Sequence, residues 1–186
     1  MEKERLEHIK KRLREGDSSC FTPLVNEYKD MVYALALKMC QSVEDAEEVA
    51  QDTFVKAYKG FGRFKGDSKL STWLYQIAYF TAINHLRKKK VETTDVDISH
   101  VPQDDSVWSQ IQEQDRKAYL DRAFELLKPE ERAVINLFYL EEHSMDEISK
   151  ITGLSVSNVK VKVHRSRKKL YGILQLLLKN EINSLL

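Results

Sequence analysis

The stretch Ser144–Lys169, SMDEISKITGLSVSNVKVKVHRSRKK, decides the fold of this chain. Ser144 with Glu147 three residues on forms a capping box, in which each side chain bonds the other residue's backbone N–H. That box opens a short helix, Met145–Thr152, which Gly153 ends. A three-residue turn, Gly153-Leu154-Ser155, leads into a second helix. Counting 100° per residue from Val159, the residues Val156, Val163, Ser166 and Leu170 share one face and are expected to pack inward. The opposite face holds Ser157, Val161, His164, Arg165 and Lys168, flanked by Asn158, Lys160 and Lys162, with Arg167 completing the basic set. Val159–Val163 alternates as a strand would, but the longer apolar stripe outweighs it. A short helix, a glycine turn and a basic helix make a helix-turn-helix unit.

Such a helix fits the major groove of B-DNA, where its early residues meet base edges and its cations meet phosphates. Asn pairs with adenine, Lys or Arg with guanine, and an outward Val touches a thymine methyl. Val161 pointing to water otherwise has little purpose. A solvated basic face on a purely structural helix is the bland alternative; cap, turn and polarity together weigh against it.

Composition limits what surrounds this unit. The 186 residues carry 30 Lys+Arg against 29 Asp+Glu, so the net charge of +1 says nothing about partners. Six Gly and three Pro argue against a turn-rich sandwich and for long helices, and 42% hydrophobic residues suffice for a core. Met1–Asp17 is charged throughout, unlike a signal peptide, and no apolar run approaches a membrane span. Cys20 and Cys40 are isolated thiols without CxxC spacing, which suits buried, reduced cysteines in a cytoplasmic protein and gives no metal site.

Charge is distributed in blocks. Gln41–Asp52 holds five acids and no base. Lys59–Lys90 holds eight bases against Asp67 alone, Val91–Asp115 holds seven acids and no Lys or Arg, and Lys160–Tyr171 holds six bases and no acid. The acidic block lacks a helical period and contains Pro102, so it reads as a linker between two helical modules. The expected architecture is all-α: a four-helix module over 1–90, a flexible acidic linker over 91–114, and the helix-turn-helix module over 115–186.

In the first module four stripes recur at helical spacing. They are Leu6, Ile9 and Leu13; Leu24, Tyr28, Met31, Leu35 and Met39; Ala46, Val49, Ala50, Thr53, Ala57 and Phe61; and Leu74, Ile77, Ala78, Thr81 and His85. Asp17 or Ser18 is expected to cap the second helix, Ser42 with Asp45 the third, and Ser71 to open the fourth. The fourth helix carries Gln76, Tyr79, Phe80, Ile83 and Arg87 on its back, with Trp73 and Tyr75 on the shoulders and Arg87–Lys90 following. Aromatics beside cations suit single-stranded nucleic acid, although aromatics on an amphipathic helix are as often core. The loop before it, Phe64–Lys69, offers a polar backbone against which a flipped base could dock. Asp45, Glu48 and Asp52 share one side of the third helix, either as a solvated face or as a docking face for a basic partner. No HExxH, Walker loop, GxSxG or GxGxxG occurs, so an enzyme is not expected. In the second module Pro129 opens a helix expected to run to about Glu142.

These residues resemble a known family. Gly16-Asp17, Phe21, Leu24-Val25, Tyr28, Val32-Tyr33, Asp45-Ala46-Glu47, Gln51-Asp52-Thr53-Phe54, Phe61 and Ser71-Thr72-Trp73-Leu74 resemble region 2 of sigma-70-family sigma factors, most closely the extracytoplasmic function (ECF) group. Leu127–Arg132, Ser144–Ile148 and Val159–Leu170 look like region 4. The resemblance implies a bacterial initiation factor, without catalysis or cofactor, that binds the β′ and β subunits of core RNA polymerase and directs it to promoter DNA. It implies a polymerase-docking set of Asp45, Glu48, Val49, Gln51, Asp52, Phe54, Val55 and Phe61. A set that captures and opens the −10 element follows: Arg63, Lys65, Ser68, Lys69, Ser71, Thr72, Trp73, Tyr75, Gln76, Tyr79, Arg87 and Lys88. The −35 readers are Ser157, Asn158, Lys160, Val161, Lys162, His164, Arg165, Arg167 and Lys168. The linker would thread toward the active-site cleft and RNA exit path, and an anti-sigma protein is a further expected partner. Ser157, Val161, Ser149 and the bulky Tyr79-Phe80 depart from the common pattern, and His143 stands where a Gly before Ser144 is usual. The competing classes are a dimeric helix-turn-helix regulator that binds duplex operators unaided and, more remotely, a carboxylate-metal nuclease.

Overall fold

A computed structural model describes residues 2–89 and 113–185, with side chains over 4–89 and 116–179. The linker expected over 91–114 lies outside the described residues except for its last two. Among the described residues every regular element is helical: α1 (Glu2–Arg14), α2 (Thr22–Cys40), α3 (Val43–Gly60), α4 (Leu70–Lys88), α5 (Glu113–Glu125), α6 (Pro129–Ile135), α7 (Met145–Thr152) and α8 (Val156–Leu185).

The first module forms where the stripes predict. α2 buries Leu24, Val32, Leu35 and Met39, and α3 buries Ala46, Val49, Thr53 and Ala57. α4 turns Leu70, Leu74, Ala78 and Ala82 into the same core, and Phe61 plugs its end with no exposed surface. Each buried Leu, Val or Phe contributes about 1.5–3 kcal/mol relative to exposure. Alanines at contact positions let the helix axes approach closely. Asp17 does not cap α2: its carboxylate accepts the Ser19 N–H at 2.9 Å and caps a 3₁₀ turn, Ser18–Phe21, after which α2 starts at Thr22 with Pro23 in its first turn. Ser42 Oγ accepts the Asp45 N–H at 3.2 Å, as a cap should. Asp45 itself turns elsewhere.

In the second module the Ser144–Glu147 box is complete, with Ser144 N–H donating to the Glu147 carboxylate at 3.0 Å and Glu147 N–H to Ser144 Oγ at 3.2 Å. Gly153 ends α7 at φ 73. α6 is shorter than expected: past Ile135 it widens into a π-helical turn, Asn136–Leu140, closed by Glu141 N–H donating to Asn136 O at 3.0 Å. The left-handed residue before the capping box is Glu142 (φ 52), one position before His143. α8 buries Val159, Val163 and Ser166 in its first half, while Ile173 and Leu174 pack on Ala123 and Leu127 in the second.

The two modules share one core. Ala133, Val134, Leu137, Ile148, Ile151, Val159 and Val163 belong to the same apolar cluster as Leu24, Leu35, Phe61 and Tyr75. α7 lies along α4, and α6 lies against α2. At the second junction Arg132, only 5% exposed, donates to Met39 O at 2.6 Å and to Glu125 O at 3.1 Å. Its Nε and the Asn136 side-chain nitrogen are buried without a hydrogen-bond partner, and burial lowers the Arg132 pKa.

Candidate nucleic-acid interface

The N-terminal half of α8 presents its polar face to solvent. Ser157, Asn158, Lys160, Val161, His164, Arg165 and Lys168 are all exposed, and Lys162 is half-buried. Val161 keeps 47% of its surface accessible, which makes it an apolar contact point set among cations. Ser155 Oγ accepts the Asn158 N–H at 3.3 Å and caps the helix. Arg167 is exposed but reaches toward Tyr139, with Nη1 at 3.4 Å from the hydroxyl. It borders a second surface, an apolar groove of about 390 Å³ between α5, the π turn and α8.

The loop and α4 form a second basic surface. Arg63, Lys65, Lys69, Arg87 and Lys88 are exposed, and Ser68 and Ser71 are half-buried. Trp73 is fixed by rings: its centroid lies 4.9 Å from Phe64 and 6.1 Å from Phe61, and Gly60 leaves room beside it. Trp73, Gln76, Arg63 and Phe80 line a groove of about 480 Å³ that also contains Lys56, whose Nζ donates to Thr81 Oγ1 at 3.1 Å. Lys56 was not among the expected site residues, and Phe80 was named only with the aromatic back of the fourth helix. Lys56 projects from α3, so only the tertiary fold brings it to this groove.

Three expected residues of α4 are covered. Thr72, Tyr75 and Tyr79 are 2%, 2% and 5% exposed. The Tyr75 hydroxyl donates to Glu141 at 2.9 Å, and its ring meets His143 edge-on at 4.9 Å. Burial, with Glu141 beside it, pushes the Tyr75 pKa up, and burial pushes Tyr79 up to about 12. Both hydroxyls therefore stay protonated.

The acidic face of α3 divides in two. Glu48, Gln51 and Asp52 are exposed, and Val55 is 49% exposed. Phe54 is half-buried and, with Val55, Tyr58 and Phe21, lines an apolar groove of about 350 Å³. Val49 and Phe61 are turned wholly into the core. Asp45 is bound within the module: Lys89 Nζ donates to both of its oxygens at 2.8 Å, and His85 Nε2 lies 3.0 Å away. Lys89 first, then His85, holds the Asp45 carboxyl below its usual range. Both thiols are free, and burial raises Cys40 to about 11, which leaves it unreactive. Among the described residues no helix is long and apolar enough to cross a membrane, and no three His, Cys, Asp or Glu side chains are grouped as metal ligands.

Comparison with known proteins places this geometry. The pattern of Sigma-70 region 2 matches residues 24–92, and that of Sigma-70 region 4 matches residues 117–170. The ECF RNA polymerase sigma factor SigW of Bacillus subtilis is 33% identical, over 87% of this chain and 94% of its own. The ECF RNA polymerase sigma-E factor of Escherichia coli is 30% identical over 84% of this chain and 87% of its own. Among solved structures, the sigma factor RpoE in complex with the anti-sigma factor NepR, from Bartonella quintana, superposes with a TM-score of 0.60 at 25% identity, covering 83% of this chain and 96% of that one. The chain belongs to the sigma-70 family, in its extracytoplasmic function group, and its function is promoter-specific initiation of transcription.

Proposed function

We propose that α8 reads the −35 element as duplex, that the 63–71 loop with α4 captures and opens the −10 element, and that the exposed half of the α3 face docks on core RNA polymerase. One observation carries the reading: seven polar, basic or apolar contact residues of α8, Ser157 to Lys168, face solvent together while Val159 and Val163 anchor the other side. A base-edge contact contributes about 1–3 kcal/mol of discrimination, and phosphate neutralisation adds a salt-dependent remainder. Strand opening costs a few kcal/mol for each base extruded, which stacking on aromatics such as Trp73, roughly 1–3 kcal/mol per base, offsets. Glu48, Gln51 and Asp52 around Val55 suit a basic surface with an apolar centre. The linker, six acids over 91–114 without a Lys or Arg, suits a channel built for nucleic acid.

Core polymerase and promoter DNA are the partners of this role, which needs no catalytic group of the chain's own. An anti-sigma protein is a third partner; the similarity to RpoE, solved with NepR, supports it. Run-off transcription with purified core enzyme tests the proposal. The protein is expected to direct initiation, and Lys160→Ala or Arg165→Ala to reduce it at −35-dependent promoters by about fivefold to 100-fold, the equivalent of one lost base contact. Unchanged promoter preference in both variants overturns the assignment of α8.

A further inference from the structure

We infer that His85 is a positioning residue for polymerase docking: a proton taken up at its Nδ1 ties the Glu48 carboxylate to α4, and docking releases that proton. The inference rests on the proposed docking role of Glu48. His85 lies in the last turn of α4 and meets α3 between two carboxylates of the docking set. Its Nε2 is 3.0 Å from Asp45 Oδ1, and its Nδ1 is 3.6 Å from Glu48 Oε1. The two acids are three residues apart and so share one side of α3. Their access differs: the Asp45 side chain is 12% exposed and that of Glu48 is 65% exposed.

The donor inventory fixes which nitrogen titrates. Lys89 Nζ donates to both Asp45 oxygens at 2.8 Å. Lys89 first, then His85, keeps the Asp45 carboxyl below its usual range, so it is ionised at neutral pH. An ionised carboxylate only accepts hydrogen bonds, so Nε2 carries a proton in either charge state of the ring. The neutral imidazole then turns a bare lone pair at Nδ1 toward Glu48, which is itself only an acceptor. A second proton, on Nδ1, converts that opposition into an ion pair. Histidine is the side chain whose charge changes near neutral pH, and here the change falls on the nitrogen that faces the docking surface.

The other charged and titratable groups nearby lie on the Asp45 side. Glu44 on α3 and Cys40 on α2 face Lys89, Cys40 also faces Asp45, and Arg132 on α6 lies behind Cys40. Lys89 holds Asp45 in both states of the ring, which leaves the exposed Glu48 as the group that responds. A basic partner surface and the imidazolium compete for this one carboxylate. Linkage makes the competition reciprocal: docking expels the Nδ1 proton, and protonation weakens docking. Affinity for core polymerase therefore rises with pH as the ring loses its charge.

The test uses the full chain with purified core polymerase. Affinity is measured near pH 6 and near pH 8, at one ionic strength, for wild type, His85→Gln and Glu48→Gln. His85→Gln keeps a donor toward Asp45 and cannot take up charge. Groups on the polymerase titrate alike in every arm, so the readout is the wild-type rise in excess of the His85→Gln rise. That excess is expected to be about twofold to fivefold, the range for one exposed ion pair. Glu48→Gln is expected to bind more weakly near pH 8 and to show no excess. Long-range proton–nitrogen NMR spectra of the free wild-type protein give the tautomer of the neutral ring, expected to be Nε2–H. A ring protonated on Nδ1 instead, an equal pH dependence in wild type and His85→Gln, or an excess that persists in Glu48→Gln overturns the inference and leaves the docking face standing. Wild-type affinity of Glu48→Gln near pH 8, with the Nε2–H tautomer in place, overturns the docking role of Glu48 and so the reading beneath the inference.

Discussion

Asp45 and Asp52 lie two turns apart on α3 and have different surroundings. Asp52 is exposed, whereas Asp45 is engaged by Lys89 and His85 at the far end of α4. Asp52→Arg is therefore expected to weaken core-polymerase binding at least tenfold with an unchanged melting temperature. Asp45→Asn should instead lower stability, by about 1 kcal/mol for a half-exposed ion pair, with polymerase affinity largely kept. Co-purification with tagged core enzyme, alongside thermal melts, separates the two. If Asp45→Asn lost the polymerase and kept its stability, Asp45 would belong to the docking face after all. The sequence placed both carboxylates on one helical side but could not show which of them an ammonium 44 residues later would reach, because that pairing depends on how α4 crosses α3. Helical spacing put Val49 and Phe61 on the inward stripe, where they lie; it was the family resemblance that assigned them to the docking set.

At the level of elements, α7 was the most legible, since its cap, its length and its terminating glycine are all local. Glu147 is the keystone of this cap. The Ser144 backbone N–H, then Lys69, lowers its pKa from 4.5 to about 2. A carboxylate depressed on folding stabilises the folded state fully above its unfolded pKa, and the benefit vanishes as pH falls through the folded value. Acid titration should therefore weaken α7 between about pH 4.5 and pH 2. Ser144→Ala, which keeps the backbone N–H, should remove about 1 kcal/mol at neutral pH, and Glu147→Gln should flatten this part of the profile, both read from urea melts. A variant with wild-type acid sensitivity would assign that sensitivity to other carboxylates. The π turn after α6 was not legible: Asn136-Leu137-Phe138-Tyr139-Leu140 has ordinary helical propensity, and its wider bonding arises where the chain must turn toward Ser144. α4 was legible only in part. Its two apolar stripes are plain in sequence, but whether Tyr75 and Tyr79 face nucleic acid or protein is set by α7, some 70 residues away.

Across the whole molecule, the shared cluster that runs from Leu24 and Phe61 to Ile151 and Val163 makes the modules one cooperative unit. Fluorescence from Trp73, with Trp108 replaced by Phe, reports on the first module, and circular dichroism reports on all the helices. The two probes are expected to give one coincident thermal transition in wild type and two in Glu141→Lys. Separate transitions in wild type would mean that the modules do not support each other. The junction of α2 and α6 carries a further consequence. Arg132 gives its guanidinium only carbonyl oxygens and leaves Nε bare, next to an Asn136 amide in the same condition. Such groups are costly in a dry joint and recover their hydration the moment it opens. The seam is thus built like a sprung catch: hermetic enough to stay shut when the molecule is alone, yet primed so that a modest competitor for either side is enough to prise it apart.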